Sequence, residues 1–475
     1  MKITFIASEA NPFIKTGGLA DVVYSLAEQY VLDKHEVNIL IPFYSKIKKN
    51  VFINLDYLGS FRMMLSWKEV EVKLCRGKYH GITYYFVEND SYFDRGQIYG
   101  EGDDGERFAF FTMASIEILK RYNIKSDIIH LHDWQVGMFP CVVKENNDPY
   151  FAKSKFVYTI HNPAFQGIYG SDFILSFYGV PRECFDNGNI EMFGQCSTLK
   201  AGIVYSDKIT TVSPTHREEL LTREGSMNLD FVLSTREKDF VGILNGIDNQ
   251  EFSPEHDKVL AVTYNKNNFY NRKLQNKEAL LKRFGLQNLG LPVFGLVSRL
   301  TWQKGLDLVY PLVRTLAPRG CVFVFLGSGE YGHEQGLEQL HREFPDKVGI
   351  YIGYNDEIAH LIYGGSDFFL MPSLFEPCGL SQMISEAYGT LPIVRITGGL
   401  KDSVVCYNGK NLDEANGFGF ADNNADELIK VCNYAFDNYW NLPIRKKLIK
   451  NAMETDNSWK KSADKYIEVY ESINK

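Results

Sequence analysis

Four short glycine-bearing loops in this chain follow apolar runs, and three of them carry charged side chains. The first reads Lys15-Thr16-Gly17-Gly18-Leu19-Ala20-Asp21. Adjacent glycines let backbone N–H groups approach an anion, and the helical pattern behind them adds a favourable dipole. Lys15 adds a full positive charge, although a tight turn with a solvated lysine explains this loop alone equally well. The spacing is neither G-x-G-x-x-G nor a Walker loop, so neither dinucleotide binding nor ATP hydrolysis is implied. The second, Ser298 to Gly305, sets Arg299 and Lys304 on one loop. A forked guanidinium and a point ammonium together suit a diphosphate whose leaving charge must be neutralised. Gly327-Ser328-Gly329-Glu330 and Thr397-Gly398-Gly399 repeat the pattern. Ordinary turns also use glycine, so the weight lies in the set rather than in any one loop.

Glu376-Pro377-Cys378-Gly379-Leu380 also lies between an apolar run and a helical stretch. Glu376 suits sugar hydroxyls, and the N–H groups of Gly379 and Leu380 suit a phosphate; a first-turn helix acid is the plainer reading of Glu376 taken alone. His130-Leu131-His132-Asp133-Trp134 and His161-Asn162-Pro163 end two further runs. The H-x-H-D string has metal-binding residue types but lacks further ligands at useful spacing. Trp134 beside it suits stacking on a sugar, and the place of His161 favours a cleft over a core.

Elements of a definite kind must hold these loops. Apolar runs of strand length recur at Ile3 to Ala7, Glu36 to Ile41, Thr83 to Val87, Asp127 to His132, Phe156 to His161 and Lys208 to Ser213. They recur again at Val293 to Ser298, Val322 to Gly327, Gly349 to Gly353, Asp367 to Pro372 and Pro392 to Ile396. Helical patterns such as Asp21 to Leu32 and Glu106 to Arg121 separate them. Continuous apolar strands alternating with helices predict α/β architecture: two doubly wound, Rossmann-like parallel-sheet domains facing a cleft, with ligands at the carboxyl ends of strands. The segment Asn249 to Phe284, rich in Asn, Lys and Glu, sets the division near Gly246. The expected domains are 1–245 and 246–457, with 458–475 a helix packing back on the first.

A length of 475 residues fits two domains, and 45% hydrophobic with 23% charged residues is a globular composition. A net charge of −8 argues against broad nucleic-acid binding. The cysteines Cys75, Cys141, Cys184, Cys196, Cys321, Cys378, Cys406 and Cys432 form no C-x-x-C and read as reduced, buried thiols. Glu9 interrupts any signal-peptide core, and no stretch reaches the roughly 18 apolar residues of a membrane span. A cytoplasmic protein without membrane partners is expected.

Taken together the motifs resemble those of the bacterial glycogen synthase and plant starch synthase family, whose fold is the two-domain GT-B architecture. The resemblance covers nearly the whole chain. It rests on K-T-G-G-L-A-D-V from Lys15, H-D-W from His132, H-N-P-A-F-Q-G from His161, T-V-S-P-T from Thr211 and N-G-I-D from Asn245. It continues in S-R-L-T-W-Q-K-G-L-D from Ser298, E-P-C-G-L-S-Q from Glu376 and T-G-G-L-K-D from Thr397. The resemblance implies a retaining glucosyltransferase that uses ADP-glucose to extend the non-reducing end of an α-1,4-glucan such as glycogen. By matching positions, Lys15, Gly17, Gly18, Arg299 and Lys304 line the diphosphate, and Glu376 holds the donor glucose. Asn245, Cys378, Gly379, Leu380, Thr397 and Gly398 surround sugar and phosphates, and Tyr354 stacks on adenine. His161 lies over the donor sugar, with Asp133 near it, and Asp21 and Trp134 fall on the acceptor side. No cofactor and no metal is implied.

Many retaining GT-B enzymes carry a second Glu eight positions after the first, where this chain has Ile384; Glu386 is not its replacement. With no carboxylate nucleophile evident, front-side departure of the nucleotide is the expected mechanism. A related transferase using UDP-glucose or a small acceptor, and a silent glucan-binding protein, are the rival readings. ADP and UDP present the same diphosphate, so the donor preference rests on the resemblance alone.

Overall fold

A computed structural model describes residues 1–287 and 290–474; Asn288, Leu289 and Lys475, the last of them the end of the expected terminal helix, lie outside the described residues. The chain divides into two compact units, Met1–Ile243 with Trp459–Lys475, and Leu244–Ser458. The first division thus falls two residues before the expected 245/246, and the second falls immediately before the last helix.

The first unit is built on a sheet in the order Phe240–Gly242, Lys208–Thr211, Lys155–Ile160, Ile128–His132, Lys2–Ile6, Glu36–Pro42, Ile82–Glu88, Lys68–Tyr79, Leu55–Leu65. All neighbours pair in parallel up to Ile82–Glu88, and the last two strands are antiparallel. Strands such as Ile128–His132 are buried throughout, which is why they read as continuous apolar runs. Helix Gly18–Leu32 buries Leu19, Val22, Val23, Leu26 and Tyr30, the spacing of one helical face.

The second unit has a wholly parallel sheet in the order Val348–Ile352, Val322–Gly327, Val293–Val297, Phe368–Met371, Leu391–Arg395, Phe418–Phe420. The polar stretch that marked the expected boundary contains helix Phe269–Arg283, whose Lys273, Asn276 and Lys277 are buried. Lys277 pairs with Asp367 at 2.7 Å. Lys273 donates to the carbonyls of Gly364 and Tyr388, each at 3.0 Å, and to Thr390 Oγ1 at 2.6 Å. The two lysines therefore fold inward because carbonyls and a hydroxyl wait for the Lys273 ammonium and a carboxylate for that of Lys277. No helix among the described residues is long and apolar enough to cross a membrane.

Candidate active site

In the first unit, strands Lys2–Ile6, Ile128–His132 and Lys155–Ile160 are parallel neighbours, so the loops at their carboxyl ends emerge side by side. The first loop carries Lys15, Gly17, Gly18 and Asp21, the second Asp133 and Trp134, the third His161. Lys15 pairs with Asp21 at 2.9 Å, so the expected phosphate cation and acceptor-side acid are partners. A methyl group placed on Gly17 or Gly18 meets no atom within 4 Å, and neither has a left-handed backbone. Packing of the chain itself therefore requires neither glycine. Among the described residues no acceptor faces the amides of Gly17 and Gly18.

Beneath this loop sits a residue the sequence reading passed over. Glu9 is 3% exposed and accepts the Thr16 N–H at 2.5 Å and the Thr16 hydroxyl at 3.1 Å. Burial pushes its carboxyl up to about 7. The only sequence signal is an acid in a short loop ahead of K-T-G-G.

Asp133 is held at φ 57, a conformation that costs a non-glycine residue on the order of 1 kcal/mol or more. Its carboxylate accepts the His161 N–H at 2.8 Å, which fixes one loop against the next. Burial raises its carboxyl to about 7 against the opposing backbone hydrogen bonds. His161 shares a hydrogen bond of 3.0 Å with His132, and burial lowers its imidazole to about 3. It is a neutral ring near neutral pH, able to hydrogen-bond a sugar but not to act as a cation. His130, the first residue of the H-x-H-D string, is instead committed inside the unit, to Tyr470 at 2.7 Å and Thr159 at 2.6 Å. The Trp134 ring packs edge to face on Phe108 at 5.3 Å and lies 6.0 Å from Tyr169, half-buried rather than standing free as a platform.

In the second unit the loops again gather at the carboxyl edge of a parallel sheet. Lys304 Nζ meets Glu376 Oε2 at 2.6 Å, and the same oxygen accepts the Ser373 hydroxyl at 3.0 Å. The expected phosphate cation and sugar carboxylate thus form one partly buried pair. Arg299 is exposed and forms no ion pair with any described residue. Ser298, Arg299, Lys304, Ser373 and Ser381 help line a cavity of about 180 Å³. Gly379 adopts φ 72, and no acceptor among the described residues faces its amide or that of Leu380.

Asn245 is 5% exposed, its Oδ1 has no partner among the described residues, and its backbone N–H reaches the Cys378 thiol. Burial pushes that thiol up to about 12, so Cys378 is a packed thiol and not a nucleophile. Thr397 precedes helix Gly398–Ser403, and Gly398 takes φ 44. Tyr354 projects with 85% of its surface exposed, its hydroxyl 3.3 Å from Asp356.

The loop Gly327 to Glu330 departs from expectation. A methyl on Gly327 would lie 2.1 Å from the Ser298 carbonyl and one on Gly329 2.4 Å from that of Leu300. The Gly329 amide already donates to Glu334 at 2.9 Å. These glycines serve the close approach of two loops, and this amide is not available to an anion. Glu386 is fully buried, accepts Asn457 Nδ2 at 2.7 Å, and is pushed well above the ordinary carboxylate range by burial.

Residues 2–235 match the family model described as starch synthase catalytic domain, and residues 279–455 match glycosyl transferases group 1. Glycogen synthase of Clostridium kluyveri is 40% identical over 100% of both chains. That of Clostridium perfringens is 42% identical over 100% of this chain and 98% of its own. Among solved structures, the catalytic domain of starch synthase IV from Arabidopsis thaliana, bound to ADP and acarbose, is 32% identical with a TM-score of 0.91 over 99% of each chain. Sucrose-phosphate synthase from Thermosynechococcus elongatus, 15% identical with a TM-score of 0.62 over 99% of this chain and 98% of its own, shares the fold alone.

Proposed function

This chain belongs to the glycogen and starch synthase family of glycosyltransferases, and we propose that it transfers glucose from ADP-glucose to the non-reducing end of an α-1,4-glucan, retaining the anomeric configuration. The observation that carries the reading is a pair of strand-edge sites built for anions. Open amides at Gly17 and Gly18 lie beside Lys15, and open amides at Gly379 and Leu380 accompany Arg299 and Lys304. The ADP bound by the Arabidopsis relative supports the adenine nucleotide, and the exposed Tyr354 ring offers it a stacking surface.

In this reading the Arg299 and Lys304 loop of the second unit receives the charge that develops on the departing diphosphate, the Lys15 loop is an anion site of the first unit, and no metal is assigned to that task. Glu376, hydrogen-bonded by Lys304 and Ser373, is assigned to the donor glucose in the second unit, and the neutral His161 with Asp133 to sugar contacts in the first. The bond from the anomeric carbon to the phosphate oxygen breaks, the bond to the acceptor hydroxyl oxygen forms, and the hydroxyl proton passes to the leaving phosphate. Departure on one face is favoured because the acids at each unit's strand-edge site are committed: Glu376 to Lys304 in the second unit, Asp133 to a backbone amide and Glu9 to Thr16 in the first.

The test is incorporation of labelled glucose into glycogen from ADP-glucose, with UDP-glucose alongside. Expected is incorporation from ADP-glucose into linkages cut by an α-1,4-specific amylase. Arg299→Ala is expected to lower kcat by roughly a hundredfold or more. Incorporation from UDP-glucose alone overturns the donor, and none from either, with glycogen still bound, turns the reading to a silent glucan-binding protein.

A further inference from the structure

Outside the residues assigned to the transfer, the second unit gathers a second group of chemically capable side chains. Asp356 opens helix Asp356–Gly365 and His360 follows four residues later, so the two share a helical face. Glu251, from the segment just past the entry into this unit, reaches the same place. One carboxylate oxygen from each acid and one ring nitrogen of His360 all lie within 4.8 Å of one another. The two acids are exposed, whereas His360 is 7% exposed.

The imidazole is held from behind. Its Nδ1 lies 2.8 Å from Asp257 Oδ2, and that oxygen also accepts the Tyr388 hydroxyl at 2.6 Å. Asp257 is itself 7% exposed. The Phe252 ring stacks on the imidazole at 5.3 Å with planes 23° apart, which fixes its tilt. Nε2 is left with no hydrogen-bond partner among the described residues. A histidine whose one nitrogen is clamped by a buried carboxylate, with the other left for two further carboxylates, is the arrangement in which an outer acid fixes the tautomer and strengthens the ligand.

We propose that Glu251, Asp356 and His360 bind one divalent transition-metal ion, with Asp257 as the outer carboxylate. A ligand set of one imidazole and two carboxylates, completed by water, suits Zn²⁺ or Co²⁺ rather than Mg²⁺ or Ca²⁺, which prefer oxygen alone. The ion offsets the repulsion between the two acids and ties the segment around Glu251 to the helix that begins two residues after Tyr354. The proposal does not rest on the transfer reaction. The cysteines offer little competition, since all are buried except the half-buried Cys406.

The experiment uses the full-length protein stripped with a chelator and then titrated with Co²⁺, followed by its visible d–d absorption, and with Zn²⁺ by calorimetry. Expected is one ion per chain, a rise in the thermal midpoint with Zn²⁺, and binding weakened about tenfold or more in both Glu251→Gln and Asp356→Asn. Circular dichroism of the metal-free variants checks that they fold, and both substitutions are at exposed positions. Absence of uptake by the wild type overturns the proposal. So does uptake equal in the wild type and the two folded variants; either result leaves an imidazole hydrogen-bonded to a buried carboxylate beside two surface acids as the description of this cluster.

Discussion

At the scale of single residues, the chemistry divides between groups the sequence announces and groups whose properties come from burial. Lys15, Arg299, Lys304 and Glu376 announce themselves by type and by glycine neighbours. That Lys304 and Glu376 meet at 2.6 Å, and Lys15 and Asp21 at 2.9 Å, is not legible in the spacing, because the members of the first pair are 72 residues apart. Glu9 is the sharper case: nothing in S-E-A-N-P-F marks an acid that fastens the Lys15 loop. Its carboxyl, about 7 in the fold against an ordinary 4.5, is raised, so its contribution to stability is fully present below 4.5 and is lost as pH rises through 7. That difference corresponds to about 3 kcal/mol. Glu9→Gln, which removes the titration, is expected to flatten the fall in thermal midpoint between pH 4.5 and 7. Scanning calorimetry across that range checks it, and an unchanged slope would mean that Glu9 is not the group responsible.

At the scale of elements, glycine decides how closely loops approach. Gly305 has φ 68, and a methyl there would stand 2.0 Å from the Pro372 carbonyl, on the stretch that leads to Glu376. Gly305→Ala is expected to cost roughly 1–2 kcal/mol from the left-handed backbone alone. Part of that strain is relieved by moving Lys304 away from Glu376, so KM for the donor should rise more than kcat falls. Urea unfolding and donor saturation curves read the two effects, and a variant with wild-type values for both removes this account of the loop pair. The eleven strand runs anticipated from apolar continuity are all present, while the hairpin Leu55–Leu65 and Lys68–Tyr79 was not anticipated. Its second strand alternates charged and apolar residues, Glu69-Val70-Glu71-Val72-Lys73-Leu74, the period-two signature of a strand with one face exposed. A search for continuous apolar runs passes over that signature.

At the scale of the whole molecule, the last helix, Trp459–Ile473, belongs to the first unit and packs on helix Gly18–Leu32, next to the Lys15 loop in sequence. Its apolar face was readable from Ala463, Tyr466, Ile467, Val469 and Tyr470, of which all but Ile467 are buried. What it supplies was not: Tyr470 places its hydroxyl 2.7 Å from His130 Nδ1, across 340 residues of chain, and lays its ring 5.8 Å from that of Tyr30. Tyr470→Phe keeps the ring and removes the partner of a fully buried imidazole nitrogen. A loss of about 1–3 kcal/mol is expected in equilibrium unfolding. Stability equal to the wild type would mean that His130 needs no partner there.

The sequence by itself determined the α/β class, the parallel strands and the family, because buried strands must be continuously apolar and because loop motifs keep their order along the chain. The tertiary structure alone decided which charges neutralise one another, that both histidines of H-L-H are buried, and which glycines are spent on loop packing. It also brought Glu251 to Asp356 and His360 across 105 and 109 positions. Partnership and desolvation depend on distance in space, and a linear spacing carries no such distance once the intervening chain has folded through a sheet.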